Sequence, residues 1–294
     1  MRWIVGLAFA VGATFALDAH AVPQHPHASP TTRIESPTAH AFAIIDALRA
    51  NDAEAFAEAV SRKSSDELAR EWETERAKAA EKSKDHEHGE DAERVWSMLM
   101  TDEGTAALVA ELQPKISEKA STAVLQFNLG LAAMLTAVAT EAGLSPTESQ
   151  QFTQVVLAVQ RWATGIDWSD PARLDRALAE ASGLVRRSGL KSPRELVTLP
   201  YERALALGDD AIATFKGVLR AYDIDVDATL ASISLEELER DGDRATVRTR
   251  VTVLGVPLDV TRELRHRHGR WNDARHSRDD DIDVARARPA VVID

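Results

Sequence analysis

The densest run of potential metal ligands in the sequence is Asp85-His86-Glu87-His88-Gly89-Glu90-Asp91. Imidazole and carboxylate groups of this kind suit zinc, copper or nickel. His86 and His88 would share a face only on a strand, whereas this run lies between two predicted helices, and Gly89 interrupts the helical spacing of His86 and Glu90. A solvated charged loop is the favoured interpretation, and a metal site of His86, His88 and Glu90 is the weak alternative. We expect no cofactor.

Arginines are concentrated near the end of the chain. From Arg244 to Arg278 the sequence has nine arginines and three acids, a net charge of +6, which leaves −18 for the remainder of a chain whose total is −12. Arg248 and Arg250 fall on the polar face of one predicted strand, and guanidinium groups suit carboxylate and phosphate oxygens. This face therefore predicts a contact surface for an anionic ligand or partner.

The candidate residues for that contact are Arg248, Arg250, Arg265, Trp271 and Tyr222. Two plainer interpretations stay open. The arginines could pair with the acidic helices of the same chain, or they could simply keep the sheet soluble.

The composition excludes several classes of function. The chain has no cysteine, so disulfides, thiol catalysis, thiolate metal sites and iron–sulfur clusters are excluded. The net charge of −12 argues against nucleic acid as a partner, because a polyanion would be repelled by most of the surface. The sequence also lacks the glycine motifs of nucleotide sites and the Gly-x-Ser-x-Gly elbow of hydrolases. We assign no catalytic residue and favour a non-enzymatic function.

The first residues have the pattern of a secretory signal peptide. Met1 and Arg2 give a positive start, residues 3–17 carry no charge, and Ala19-His20-Ala21 matches the small-x-small cleavage pattern. The apolar run is shorter than the roughly 20 residues needed to span a bilayer. We therefore expect cleavage after Ala21, a periplasmic or secreted protein, and no stable membrane insertion afterwards. Residues 22–37 are predicted to form a flexible, proline-containing leader.

The pattern of apolar residues predicts a helical domain over residues 38–208. Asn51-Asp52 should separate its first two helices, and Pro114 should end a later one. Residues 120–140 contain no charged residue, which predicts a central helix surrounded by others rather than a membrane span.

Capping residues indicate several helix boundaries. Ser145-Pro146-Thr147-Glu148, Asp170-Pro171 and Ser192-Pro193-Arg194-Glu195 each predict a helix start, and Gly189 predicts a stop. Two further helices are expected, near residues 201–207 and 209–222.

Beyond residue 230 the apolar period changes from 3.6 to 2. Alternating residues over 231–236, 247–253 and 256–264 predict half-buried strands, and a short fourth strand should carry Trp271. Short turns between consecutive strands make them antiparallel. We therefore predict an α+β fold, with a mostly helical N-terminal part followed by a C-terminal antiparallel β-meander of about four strands. Residues 209–276 form the helix-plus-sheet part, and residues 277–294 form a disordered tail.

The helix that ends at Tyr222, the segment Gly242-Asp243-Arg244-Ala245-Thr246-Val247 and the closing Gly269-Arg270-Trp271 together resemble the last part of an NTF2-like α+β cone. The likeness covers about residues 204–272. It implies a curved antiparallel sheet packed on the preceding helix. Such domains include enzymes, ligand binders and domains without activity, so the resemblance transfers no catalytic residue.

Taken together, these features predict an exported, non-catalytic binding or scaffold protein whose partner is an unknown envelope protein or an anionic ligand. The alternative is a small-ligand-binding protein or enzyme of the NTF2-like kind, with a pocket under the C-terminal sheet near Trp271 and Tyr222. An enclosed concavity with convergent polar groups would favour the alternative.

Overall fold

The structure is a computed structural model that describes residues 36–61, 63–82, 90–141, 145–267 and 270–274. The predicted signal peptide, the leader up to residue 35, the paired histidines His86 and His88, and the predicted tail lie outside the described residues.

Helices make up most of the described chain and an antiparallel sheet follows them, which confirms the α+β fold class. The nine α-helices within the described ranges are α1 (Ala39–Ala50), α2 (Ala53–Ser61), α3 (Ser65–Lys82), α4 (Glu90–Leu99), α5 (Asp102–Glu141), α6 (Pro146–Gly165), α7 (Pro171–Ser188), α8 (Tyr201–Ala221) and α9 (Val226–Ala231). A 3₁₀ helix occupies Pro193–Thr198. The sheet has three long strands, β1 (Ser234–Asp241), β2 (Arg244–Val253) and β3 (Val256–Arg267), and a four-residue strand, β4 (Arg270–Asp273).

The described chain separates into two compact units. The larger unit holds residues 38–236 and 248–260, and so contains the described helices, the start of β1 and the turn end of the β2–β3 hairpin. The smaller unit holds residues 36–37, 237–247, 261–267 and 270–274 among the described residues, and so contains β4 and the remaining parts of the other strands.

The helix starts follow the predicted capping chemistry. The Ser145 hydroxyl accepts the Glu148 N–H at 3.3 Å, and the Glu148 carboxylate accepts the Ser145 N–H at 2.8 Å. Asp170 caps α7 by accepting a backbone N–H at 2.9 Å, while Ser192 caps a segment that forms a 3₁₀ helix rather than an α-helix. Gly189 ends α7 with φ at 65°, a left-handed conformation that glycine adopts without steric cost.

The predicted break between the first two helices is confirmed. Asn51 takes a left-handed conformation, with φ at 57°, and terminates α1. The first turn of α2 is then capped twice, because Asp52 accepts the Ala55 N–H at 2.8 Å and Asp209 of α8 accepts the Ala53 N–H at 2.7 Å. A side chain distant in sequence thus completes the cap of α2.

The prediction that Pro114 ends a helix is wrong, because α5 runs from Asp102 to Glu141 with Pro114 inside it. Proline removes the hydrogen bond to the carbonyl four residues earlier, here that of Ala110. Both residues are exposed, so water can bind this carbonyl. Buried residues on either side, Leu108 and Leu131, keep the two halves of α5 packed on the protein.

The prediction that residues 120–140 form a helix surrounded by others is wrong for the side chains that the structure describes. Leu125 and Leu129 are 60% and 63% exposed, whereas Leu131 is buried. One face of α5 packs on α4, α6 and α7, and the opposite face meets solvent. Among the described residues, none of the helices combines the length and apolarity needed to cross a bilayer.

The two predicted helices around Gly208 are one helix, α8. Gly208 lies where α8 approaches α2 closely, since a Cβ placed on it would lie 2.7 Å from the Ala53 Cβ. A glycine inside a helix costs about 1 kcal/mol relative to alanine. The close approach explains why it does not break the helix here.

The sheet order is β1-β2-β3-β4, and β4 pairs antiparallel with the end of β3, with His266 opposite Trp271. The predicted turns are confirmed: Gly242 has φ at 58°, and Leu254 and Gly255 both have positive φ, as the right-handed twist of hairpin strands favours. The first strand begins at Ser234 rather than at Ala231.

The three residues before β1 differ from the prediction because Ala231 ends a short helix, α9, and Ser232 and Ile233 connect this helix to the strand. The Asp225 carboxylate accepts the Ala228 N–H at 2.9 Å and so caps the first turn of α9. Leu230 of α9 is fully buried. Capping and burial together favour a helical turn over the strand that alternation predicted.

A hydrophobic cluster of α4, α5 and α7 surrounds a buried pair of hydroxyl groups. Leu99, Leu108 and Val185 form the centre of this cluster. The fully buried Ser182 hydroxyl donates to the Leu99 carbonyl at 2.6 Å and lies 3.1 Å from the Thr105 hydroxyl. These contacts satisfy polar groups that burial would otherwise destabilise.

A buried lysine ties three helices of the larger unit together. The side chain of Lys216 in α8 is 5% exposed, and its ammonium group donates to the Leu48 carbonyl at 2.6 Å. The same group lies 2.7 Å from the Asp227 carboxylate, at the start of α9. Arg220 also binds Asp227, at 2.9 Å. The lysine charge thus lies at the C-terminal end of α1, where the helix dipole favours it.

We expect the Lys216→Met substitution to lower the free energy of unfolding by ~1–2 kcal/mol, because it leaves the partly buried Leu48 carbonyl without its donor, whereas Asp227 keeps its contact with Arg220 and the apolar stem is preserved. Urea denaturation followed by circular dichroism measures the change. Lys78→Met, which removes a lysine 59% exposed and paired with Glu75 on the same helix, is the matched control and should cost less than ~0.5 kcal/mol. Equal losses in the two variants would contradict the assigned role.

Candidate functional site

Arg248, the first of the predicted contact residues, is held by a carboxylate of the neighbouring strand. Its Nε lies 2.8 Å and 3.0 Å from the two Asp259 carboxylate oxygens, and its Nη2 lies 2.5 Å from one of them. Such a two-pronged pair fixes the guanidinium plane as well as its position. Hydrogen bonds from Arg248 are the main cause that lowers the pKa of Asp259, and the charge of Arg250 lowers it further.

Arg250, two residues along the same strand, sits between two carboxylates at longer distances. Its Nη2 is 3.3 Å from Glu236 and its Nε is 3.5 Å from Asp259. Charge-assisted hydrogen bonds are usually 2.7–2.9 Å long, so these are loose contacts. The side chain is 46% exposed, against 37% for Arg248. Of the two arginines, Arg250 is therefore the more exposed and the more loosely held.

The strand that carries Asp259 is fixed to the helical part of the larger unit. The Asp259 backbone N–H donates to the side-chain carbonyl of Gln151, on α6, at 2.9 Å. The start of the sheet is tied in the same way, because the Ser232 hydroxyl, at the end of α9, accepts the Thr252 N–H at 2.8 Å. We call Glu236, Arg248, Arg250 and Asp259 the arginine network. Helices thus position both of its strands.

Two other predicted contact residues, Arg265 and Trp271, lie in the smaller unit. The Arg265 Nε lies 3.6 Å from the Asp243 carboxylate, beyond hydrogen-bond distance. The Arg240 guanidinium lies 5.3 Å from the centre of the Trp271 ring, a cation–π distance. His266 packs on the same ring at 5.2 Å. Arg265 lies opposite Asn272 in the strand register and Trp271 lies opposite His266, so the side chains of Arg265 and Trp271 point to opposite faces of the sheet.

Tyr222 belongs to an aromatic cluster of the larger unit. Its ring stacks on Trp168 at 5.3 Å, and Trp168 meets Trp162 edge to face at 5.5 Å. The Trp162 indole N–H donates to the Tyr222 carbonyl at 2.7 Å. Burial raises the pKa of the Tyr222 hydroxyl. Tyr222, which the sequence predicts to contact a ligand, therefore packs at a junction of α6, α7 and α8.

The predicted metal site is tested only in part by the described residues. His86 and His88 lie outside them, and Glu90 begins α4. Within the described ranges, no three histidine or carboxylate side chains converge as ion ligands.

Two open grooves occur on helices of the larger unit. One, of about 470 Å³, lies along α6 and is lined by Gln154, Leu157, Gln160, Arg161 and Thr164. The other, of about 280 Å³, is lined by Lys63, Glu67, Arg70 and Glu71. Neither groove is lined by Tyr222, Trp271 or any residue of the sheet.

Sequence reasoning found the arginines of the network but missed the residues that position them. Asp259 could have been identified, because the two-residue turn Leu254-Gly255 places residue 259 opposite residue 250. Gln151 carries no such signal, since it lies 108 residues away from its partner. The pairing of the arginines with acids of the sheet itself also differs from the expected alternative, in which acidic helices would pair with them.

Comparison of the chain with protein-family models, with curated proteins and with solved structures gives no match.

We expect Arg248→Ser to raise the pKa of Asp259 towards its ordinary value of 3.8, because the main group that stabilises the charged carboxylate is removed. Carboxyl ¹³C NMR titration measures the shift. The pKa of Asp167, which hydrogen bonds from Ser169 lower, should not change and serves as an internal control.

The same pair has a predictable effect on stability. A carboxyl whose pKa is lowered on folding stabilises the protein fully above its unfolded pKa, and this stabilisation is lost as the pH falls through the folded pKa. The difference in unfolding free energy between wild type and Arg248→Ser should therefore be constant above about pH 5 and shrink below about pH 4. A difference that grows on acidification would contradict this assignment.

Proposed function

We propose that the chain is an exported, non-catalytic binding or scaffold protein, and that the arginine network on β2 and β3 is its contact surface for an anionic ligand or an acidic region of an envelope protein. The observation that carries the proposal is that Arg248 and Arg250 are bound by carboxylates at different distances. Asp259 fixes Arg248 rigidly, whereas Arg250 has only loose contacts and high exposure.

A rigid arginine beside an adjustable one suits the recognition of carboxylates or phosphates. Exposed ion pairs are worth only about 0–1 kcal/mol, so an anion can replace Glu236 at Arg250 with little loss. Arg248 needs no reorganisation, because its guanidinium plane is already set by Asp259. Glu236, 53% exposed, supplies the part of the network that an incoming anion would displace.

The charge distribution of the sequence supports the same assignment. The arginine-rich stretch carries +6 within a chain of net −12. A positive stretch in an acidic chain attracts an anionic partner to that part of the chain rather than to the acidic remainder.

Export through a signal peptide cleaved after Ala21 is part of the proposal. The positive start, the apolar run and the Ala19-His20-Ala21 pattern support it. The chain has no cysteine, so no disulfide would contribute to its stability after export.

The first test measures binding of a fluorescein-labelled pentaglutamate peptide by anisotropy. We expect Arg250→Ser to weaken binding by about 10-fold, because a charge-assisted contact contributes roughly 1.5 kcal/mol. Binding should also weaken as sodium chloride is raised from low to physiological concentration. Arg186→Ser, which removes an exposed arginine paired with Asp102 on a helix, is the matched control and should bind as wild type does. Absence of wild-type binding at low salt, or equal binding by Arg250→Ser, would refute the proposed surface.

The second test concerns export. Mass spectrometry of the natural protein should find an N-terminus at Val22. An intact Met1 in protein recovered from the cytoplasm would contradict export while leaving the proposed contact surface open to the peptide assay.

A further inference from the structure

The two carboxylates of the arginine network are held with different firmness. Asp259 accepts hydrogen bonds of 2.5–3.0 Å from the Arg248 guanidinium, and its side chain is 29% exposed. The Glu236 carboxylate lies 3.3 Å from the Arg250 Nη2, and the Glu236 side chain is 53% exposed. Of the two acids, Glu236 is therefore the one that leaves its arginine more easily.

The fold nevertheless keeps Glu236 within reach of Arg250. The two residues belong to the larger unit, and their strands, β1 and β2, are hydrogen-bonded neighbours in the sheet. Side chains that face each other on adjacent strands have Cβ atoms only about 5–8 Å apart. A group tethered so closely has a high effective concentration at its partner. Glu236 therefore rebinds Arg250 whenever another anion leaves it.

The Glu236 side chain carries the same chemical group that an acidic partner would bring to the network. Both carboxylates would take the charge-assisted contact at the Arg250 guanidinium, so each weakens the binding of the other. A displaced Glu236 also remains beside the site, where its negative charge repels the incoming anion. Glu236 thus lowers the affinity of the network for an anion in two ways.

Asp259 does not compete in the same manner. The Arg248 Nη2 lies 2.5 Å from its carboxylate, whereas the Arg250 Nε lies 3.5 Å from it. An anion that binds Arg250 can therefore leave the pair of Arg248 and Asp259 intact. Within the arginine network, competition for Arg250 comes mainly from Glu236.

We propose that Glu236 is a built-in competitor that limits the affinity of the arginine network for its anionic partner. The inference rests on the proposed function and adds the regulation of that same surface. It leads to an expectation that a purely structural ion pair would not give: loss of the Glu236 charge should strengthen binding.

The test repeats the anisotropy titration with fluorescein-labelled pentaglutamate on Glu236→Gln, which keeps the size of the side chain and removes its charge. We expect the variant to bind the peptide about 2- to 5-fold more tightly than wild type, the factor that release of an exposed ion pair gives. Circular dichroism should show the same secondary structure in the two proteins.

Glu237→Gln is the matched control, because it removes the same charge from the next residue of β1. Successive side chains of a strand point to opposite faces, and Glu237 accepts a hydrogen bond from Ser36 rather than from an arginine of the network. This variant should change the affinity by less than about 1.5-fold. An equal gain in the two variants would show an effect of net charge alone and would overturn the proposal.

A double variant tests whether Glu236 acts through Arg250. Glu236→Gln should give no gain when it is added to Arg250→Ser, because the contact for which Glu236 competes is then absent. A gain that persists in the double variant would overturn the proposal. Peptide binding by wild type with no gain in Glu236→Gln would overturn it as well, while the proposed function stands. Absence of binding by both wild type and Glu236→Gln would refute the proposed function and this inference together.

Discussion

The larger unit depends on one buried ammonium group, that of Lys216. A buried charge is destabilising unless polar or oppositely charged groups lie within hydrogen-bond distance of it. Here the Leu48 carbonyl and the Asp227 carboxylate are those groups. These partners lie 168 and 11 residues from the lysine along the chain, so the tie closes the unit from its first helix to its last. It also fixes the start of α9, from which the sheet begins. The position of the residues that lead into the sheet within the larger unit, up to Glu236, thus follows from an ion pair among the helices.

That constraint reaches the arginine network through two hydrogen bonds. Ser232 at the end of α9 holds β2, and Gln151 on α6 holds β3 at Asp259. These hydrogen bonds to helices position both strands and with them the Asp259 carboxylate. The Asp259 carboxylate in turn positions the Arg248 guanidinium. Arg250 has no equivalent partner at short distance. The structure therefore combines an arginine fixed by a carboxylate with a second arginine that is loosely held, and the proposed anion contact rests on this difference.

The larger unit presents two exposed surfaces of opposite character, the arginine network and the solvent-facing side of α5 over residues 121–133. One carries exposed guanidinium and carboxylate groups, and the other, on α5, exposes leucines, small residues and amides without any charge. Coulomb forces act strongly at the arginine network and weakly at the face of α5. Salt should therefore weaken contacts at the arginine network more than contacts at α5.

The sequence alone determined the features that local chemistry controls: the α+β class, the caps at Ser145 and Asp170, the stop at Gly189 and the hairpin turns. Each rests on a few adjacent residues whose backbone preferences are strong. Tertiary structure decided that α5 continues through Pro114 and that α8 continues through Gly208, because packing on both sides outweighs the local penalty. It also decided which acids hold Arg248 and Arg250 and which face of α5 meets water. Those outcomes depend on residues that only folding brings together, and no local pattern encodes them.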